Sequence, residues 1–235
     1  MPITAHVSYR ASTKTHTIFY TTHVSAGFPN CAFSYNESLT FSQVNDSYAF
    51  DYGAMAAASV GNYVLFTGMH KDNPANAPVY AFNNSLVLTK PTSLPGNSSG
   101  RCGGSTDSHA VFAGGYGVGP IGSICIDNVY AYNSSLSLSS PTNLHVKLAE
   151  MRSASIEGCV LFAGGQYTAD GSNRVNGVTA DVVMYDSSLV RSNKFTLSEA
   201  RRPMAATTVG NYVLIAGGRD RYSNEISPVD VFIVA

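Results

Sequence analysis

Short apolar runs divided by turn residues follow one another along the whole chain. The runs are rich in Val, Tyr, Phe and Thr and are bounded by Gly, Asn, Ser and Pro, a combination typical of β-strands. No stretch has apolar residues at the three- and four-residue spacing that an amphipathic helix needs, so we expect minimal helix. The pattern therefore predicts an all-β chain built from short strands.

The runs are grouped into repeats, each marked by a turn of the form Asn/Asp-x-Ser-Leu or its close variant. Successive turn leucines are 47, 50 and 53 residues apart: Leu39, Leu86, Leu136 and Leu189. An apolar residue two positions before a glycine follows each leucine after 26 or 27 residues: Phe66, Phe112, Phe162 and Ile215. Nearly all variation in repeat length falls between that glycine and the next aromatic residue. Connections tolerate insertions, so this segment is predicted to be a surface loop and the rest scaffold.

Each repeat is predicted to hold four strands, which we call a to d. In the clearest repeats, strand a lies near 205–209, strand b at 212–216, strand c near 181–185 and strand d near 189–195. The Asn/Asp side chains stabilise the c–d turn by bonding to their own backbone, and the Gly-Gly pair after strand b allows a positive φ. Strand b has a continuous apolar run, so we expect it to be buried on both faces.

Four-stranded repeats of about 45–50 residues with a double glycine after strand b resemble the kelch-repeat β-propellers. The double glycines at 114–115, 164–165 and 217–218 and the later Tyr132 and Tyr185 carry this resemblance, although the chain has no tryptophan. The amino-acid sequences of the repeats are also similar to degenerate kelch-like repeats of bacterial and prophage-encoded proteins, some of them tail or surface proteins. The resemblance implies a five-bladed kelch-like β-propeller with an abbreviated closing blade.

One domain over residues 1–235 is expected, with repeats at about 7–46, 47–95, 96–144, 145–197 and 198–235. The fifth repeat ends at strand c, so only residues 1–6 remain to supply its fourth strand. We expect residues 2–6 to pair with 231–234 and close the last blade. A three-stranded last blade and a chain that is a fragment of a longer array are the alternatives. An incomplete blade can also recruit a strand from a neighbouring chain, which makes an oligomer a further option.

Composition excludes some partners and leaves the location of the protein open. The net charge of −1 argues against binding to nucleic acid or to an anionic membrane. No apolar run approaches the length of a membrane span, and no signal peptide is evident at Met1. A virion or surface location would then need particle assembly, lysis or a removed signal. The four cysteines include no CxxC pair, so we expect free, mostly buried thiols and no zinc.

No nucleophile, phosphate-loop or paired-carboxylate motif is present, so we predict no catalytic residue, cofactor or metal and favour a protein that is not an enzyme. Arginines near the ends of strand a are candidates to hold a carboxylate at the propeller axis: Arg10, Arg101, Arg152, Arg201 and Arg202. The other interpretation is that they pair with Glu150, Glu199 or Asp107. Some kelch-like propellers act on sialic acid at the axis, so the resemblance implies an enzyme acting on an acidic sugar as the alternative function.

The variable loops between strands b and c carry the remaining candidates. Tyrosine mixed with Asn, Ser and Gly is typical of adaptable recognition surfaces. The candidate loop residues are Tyr116, Tyr167, Asp170, Arg219, Arg221 and Tyr222, with Asp220 beside them. We therefore predict a non-catalytic binding or structural module that presents these loops to a glycan or protein partner, in a phage-like, prophage-like or surface protein. A purely architectural, oligomerising unit is the third hypothesis.

Overall fold

The computed structural model describes residues 7–22, 30–46, 56–69, 75–119, 122–168, 175–202 and 205–234. In these ranges every regular element is a β-strand and none is a helix, which confirms the all-β prediction. Accordingly, none of these residues belongs to a helix that is long and apolar enough to cross a membrane.

The strands of the described residues are numbered in chain order. Strands β1 to β9 are Val7–Ser12, His16–Thr22, Asn30–Asn36, Phe41–Asp46, Ala56–Val60, Tyr63–Thr67, Asn76–Ala77, Val79–Asn83 and Leu88–Thr89. Strands β10 to β17 are Leu94–Pro95, Cys102–Ser105, His109–Ala113, Tyr116–Gly119, Gly122–Cys125, Val129–Asn133, Leu138–Ser139 and Leu148–Ala149. Strands β18 to β26 are Arg152–Ile156, Cys159–Ala163, Gln166–Thr168, Val175–Val178, Asp181–Tyr185, Arg191–Thr196, Ala205–Val209, Tyr212–Arg219 and Glu225–Ile233.

Each predicted repeat contributes one main antiparallel sheet, and three of the repeats add a smaller sheet of two or three strands. Sheets I to IV have four strands each, in the orders β1-β2-β3-β4, β5-β6-β8-β9, β11-β12-β15-β16 and β18-β19-β22-β23. Sheet V has three described strands, β24-β25-β26. Two of the loops predicted between strands b and c contain a β-hairpin. In the repeat of sheet III the hairpin is β13 paired with β14, and in the repeat of sheet IV it is β20 paired with β21. That the five repeats form one domain stays a prediction.

The c–d turn is closed by an Asx side chain, as predicted. In sheet II, Asn83 Oδ1 accepts hydrogen bonds from the backbone N–H groups of Ser85 at 3.0 Å and Val87 at 2.9 Å. Leu86, between them, has a φ of +57°, in the left-handed region that favours glycine. The same conformation recurs at all four turn leucines, although the turn pattern did not predict it: Leu39, Leu86, Leu136 and Leu189.

The double glycine after strand b lets two backbone segments approach closely. Gly114 and Gly115 have φ values of +61° and +110°. A Cβ built on Gly114 would lie 2.3 Å from the carbonyl oxygen of Leu148, while the Gly115 N–H donates to that same oxygen at 2.8 Å. The glycines thus dock the segment that leads into the next sheet, which confirms the predicted positive φ at this pair.

The core lies between consecutive sheets, which pack I on II, II on III, III on IV and IV on V. The central strands supply most of it, and Phe66, Phe112 and Phe162 are fully buried as predicted. The prediction was wrong for Leu214, which is only half-buried. It lies on the face of sheet V that no described sheet covers.

The four cysteines are free thiols, as expected. Cys31, Cys102 and Cys125 are buried and Cys159 is half-buried. Residues 1–6 lie outside the described residues, so the pairing of 2–6 with β26 stays a prediction.

Candidate functional site

A cleft lies between the β20–β21 hairpin and the turn that joins β25 to β26. It consists of two adjoining cavities of about 210 and 400 Å³ that share four lining residues: Gly177, Val178, Asp220 and Arg221. The smaller cavity is lined in addition by Gln166, Arg202 and Ser223. The larger one is lined in addition by Tyr167, Glu199, Ala200 and Tyr222. We call this region the hairpin cleft.

The turn at one side of the hairpin cleft is fixed by Asp220. Its Oδ1 accepts the backbone N–H groups of Tyr222 at 2.8 Å and Asn224 at 2.9 Å, and its Oδ2 accepts the Asn224 side-chain amide at 2.9 Å. The side-chain hydrogen bond from Asn224, and then the backbone ones, lower the pKa of Asp220 below its ordinary value. The ionised carboxylate therefore holds the turn in the shape that presents Tyr222.

Tyr222 and Arg221 form an exposed aromatic and cationic pair at this turn. The Tyr222 side chain is 68% exposed. The Arg221 guanidinium lies over the Tyr222 ring, 4.5 Å from its centroid, and its Nη2 also donates to the Tyr222 hydroxyl. A cation over a ring face is attracted by the ring quadrupole, so the two side chains steady one another.

The opposite side of the cleft is the β20–β21 hairpin, where Tyr167 lies across Gly177. A Cβ at Gly177 would be 2.9 Å from Tyr167 Oη, so the missing side chain makes room for the ring. The glycine thus helps to set the position of a half-buried tyrosine that lines the larger cavity.

A chain of hydrogen bonds runs beneath the cleft and joins three repeats. The Tyr116 hydroxyl donates to Gln166 Oε1 at 3.2 Å, and Gln166 Nε2 donates to Glu150 Oε2 at 2.8 Å. Arg202 Nη1 donates to the same oxygen at 3.1 Å. Burial, and then the Glu150 charge, raise the pKa of Tyr116, so its hydroxyl stays a donor. Glu150 itself has a φ of +57°.

The arginines predicted at the axis do not converge on one partner. Arg202 lines the cleft and pairs with Glu150, as the second interpretation proposed. Arg201 is fully buried, and its Nη2 lies 2.5 Å from Asp230 Oδ2. Its Nη1 donates at 3.0 Å to the backbone carbonyl of Glu199 rather than to the carboxylate.

The other three arginines lie in separate surroundings. Arg101 is 6% exposed, and its guanidinium lies over the Tyr130 ring at 5.1 Å from the centroid. Burial lowers the pKa of Arg101 to about 10. Arg10 and Arg152 are exposed, and Arg152 Nη1 donates to the carbonyl of Met151 at 3.1 Å. A shared carboxylate site on the five arginines stays a prediction.

The loop candidates divide between the cleft and its surroundings. Tyr167, Arg221 and Tyr222 line the cleft, whereas Tyr116 reaches it only through Gln166. Arg219 pairs with Glu225 at 3.1 Å, and Asp170 lies outside the described residues.

Sequence reasoning missed several lining residues, among them Gln166, Gly177, Val178 and Ser223. Gln166 had a usable signal, because it follows its double glycine as Tyr116 follows the preceding one. Among the described residues, no group of three or more His, Cys, Asp and Glu could hold a metal ion.

Comparison with known proteins gives a likeness of fold. No family model and no curated protein matches the chain. Among solved structures, the chain is similar to one described as "Structure of YjhT", with 12% sequence identity and a TM-score of 0.71. The match covers 97% of this chain and 81% of that chain. At this identity the similarity concerns the fold alone.

Proposed function

We propose that this chain is a non-catalytic binding module that holds a glycan in the hairpin cleft. The observation that carries the proposal is the exposed Tyr222 ring, backed by Arg221 and set beside cavities lined by hydrogen-bonding side chains. The flat face of an aromatic ring suits the apolar face of a sugar, while Arg, Asp, Gln and Glu side chains suit its hydroxyls. Recognition sites commonly combine apolar contact with a few well-placed polar groups.

We also propose that the five sheets are consecutive blades of a kelch-like β-propeller. The supports are the order in which the sheets pack and the double glycine and Asx turn of the repeats. In this arrangement the hairpin cleft lies on the face formed by the b–c connections of the last two blades. The variable segments, rather than the scaffold, would then determine what is bound.

Asp220 at the cleft and Glu150 beneath it are suited to positioning more than to proton transfer. Asp220 is committed to its own turn, and Glu150 accepts from both Gln166 and Arg202. A general base needs a carboxylate that is free to take a proton from the reacting group. The alternative of an acidic-sugar enzyme predicts turnover, so assays for altered or released sugar on every glycan that binds would separate the two functions.

Replacing Tyr222 by alanine should raise the Kd for a bound glycan at least tenfold. Tyrosines that anchor an interface commonly contribute about 2 kcal/mol, and about 1.4 kcal/mol corresponds to a tenfold change in affinity. A glycan array would identify the ligand, and titration calorimetry on the parent and variant would measure the change. Tyr35→Ala is the matched control, because this exposed tyrosine lies in sheet I, away from the cleft. Equal affinity of the Tyr222→Ala variant, or an array without a single binder, would count against the proposal.

A further inference from the structure

One face of sheet V is exposed at positions that are buried in the other sheets. Strand pairing defines the equivalence, since Val231 lies opposite Leu214 as Ala131 lies opposite Val111. Ala131 is fully buried by the next sheet, whereas Val231 is 54% exposed. Ala131 has β16 beside it and sheet IV over it, whereas Val231 has neither a fourth described strand beside it nor a described sheet over it.

The same contrast extends along β26. Val229 lies opposite Ala216, as Val182 lies opposite Ala163 in sheet IV. Val182 is buried, but Val229 is exposed, and so is Ile233 further along the strand. Alternate residues of a strand point to one face, so Val229, Val231 and Ile233 form one apolar stripe. We call this stripe, with Leu214 and Tyr212 beside it, the outer face of sheet V.

Sheet I also has a face that no described sheet covers, which we call its free face and which holds Tyr35 and Phe41. Tyr35 lies opposite Thr17, as Tyr185 lies opposite Val160 in sheet IV. Tyr185 is fully buried and its hydroxyl donates to the carbonyl of Thr142, which precedes sheet IV. Tyr35 is instead 40% exposed and packs against Phe41, which is 48% exposed. The free face of sheet I therefore holds aromatic residues in the place where a preceding sheet would pack.

These two faces do not cover one another. Extensive sheet-to-sheet packing among the described residues joins only neighbours in sequence, and none joins sheet I to sheet V. The closed five-bladed ring expected from the sequence would require that contact.

The similar solved structure is longer than this chain by about the length of one repeat. The match covers 97% of 235 residues, about 228, and these make up 81% of the other chain, which is then about 281 residues long. The other chain therefore has about 53 residues more than are matched, which is close to one repeat step of 47, 50 or 53 residues.

We infer that the outer face of sheet V and the free face of sheet I form a docking surface for one further four-stranded sheet of the same repeat type. The faces of the neighbouring repeats define the chemistry of this partner. Toward sheet V it would present buried aromatics, as Phe162 and Tyr185 do toward sheet III. Toward sheet I it would present aliphatic and small residues, as Leu161 and Ala163 do toward sheet V. Both contacts would repeat the packing already seen between sheets I to V.

A fusion of the chain to its own repeat tests the inference. Residues 134–196, appended directly after Ile233, would supply a turn and a fourth strand for sheet V and then a second copy of sheet IV, because Ile233 pairs in sheet V as Asn133 pairs in sheet III. We expect the melting temperature to rise by at least about 5 °C, and the fluorescence of a dye that binds exposed apolar surface to fall. A fusion that has the same melting temperature as the parent and binds as much dye would overturn the inference.

Val231→Lys keeps the test decisive if the fusion folds poorly. In the parent chain this exposed position should tolerate the change, with a shift of no more than about 2 °C. In the fusion the same substitution should abolish the gain, because it places a charge against an apolar face. Strong destabilisation of a monomeric parent by Val231→Lys would mean that sheet I covers sheet V. Parent self-association that Val231→Lys abolishes, measured by light scattering, would mean that a second copy does. Either result would replace the proposed partner.

Discussion

Replacing Phe162 by alanine should lower the free energy of unfolding by about 3–5 kcal/mol, the usual cost of deleting a large aromatic side chain from a core. Phe162 is fully buried between sheets III and IV and contacts Tyr185 edge to face, with ring centroids 6.3 Å apart. Typical domains are stable by only about 5–15 kcal/mol, so the loss would be a large share of the total.

Thermal melting of the purified variant would measure this loss. In a chain of this size, each kcal/mol corresponds to about 2–4 °C, so a fall of at least about 6 °C is expected. Val190→Ala is the control, because Val190 lies in the exposed turn of the same sheet and should change stability by less than about 0.5 kcal/mol. A Phe162→Ala variant that melts within a degree or two of the parent would show that the core is placed wrongly.

Replacing Asp230 by alanine should cost a similar amount, about 3–5 kcal/mol, because it leaves the charge of Arg201 buried without its partner. Arg201 is fully buried, and its Nη2 is 2.5 Å from Asp230 Oδ2. Asp230 also accepts the backbone N–H of Ser198 at 2.9 Å through Oδ1, so the segment before sheet V would lose a second anchor. Chemical denaturation would measure the loss.

Sheet IV and the segment before it provide the matched control for this ion pair. Asp230 lies opposite Ile215 as Val183 lies opposite Phe162. The Arg201 carbonyl accepts from Gly165 as that of Leu148 accepts from Gly115, and Leu148 is fully buried too. The double variant Arg201→Leu with Asp230→Val copies those residues and should recover most of the stability, because apolar replacement of a buried pair is often neutral or stabilising. A double variant as unstable as Asp230→Ala would contradict this explanation.

The same ion pair should make stability depend on pH in the acidic range. Burial alone would raise the pKa of Asp230, but hydrogen bonds from Arg201 and Ser198 outweigh it and hold the pKa below the ordinary value. Because the folded pKa is the lower one, the contribution is complete above the unfolded pKa of about 3.9 and is lost as the pH falls through the folded pKa. Melts between pH 7 and pH 2 should therefore fall less steeply below about pH 4 for Asp230→Asn than for the parent. Parallel curves would exclude Asp230 as the cause.

The repeat and most of the strands could be predicted from local sequence patterns alone. Strand periodicity, Asx turns and double glycines act over a few residues, so their signals can be found without any neighbour in space. The strand predicted at 205–209 is β24, and the one predicted at 181–185 is β22. The cleft candidates Tyr167, Arg221 and Tyr222 were found in the same way, because variable segments with tyrosine stand out against a constant scaffold.

Which of these residues are covered, paired or brought together depends instead on how the sheets pack. Leu214 has the same apolar neighbours in sequence as Leu161. Leu161 is fully buried on a face that the next sheet covers, whereas Leu214 lies on a face that no described sheet covers and is half-buried. Arg201 stands near the end of strand a in the sequence, but its partner Asp230, 29 positions away, could be found only in the structure. Burial and pairing depend on which surfaces meet across the core, and a local sequence pattern contains no information on the neighbour that supplies the second surface.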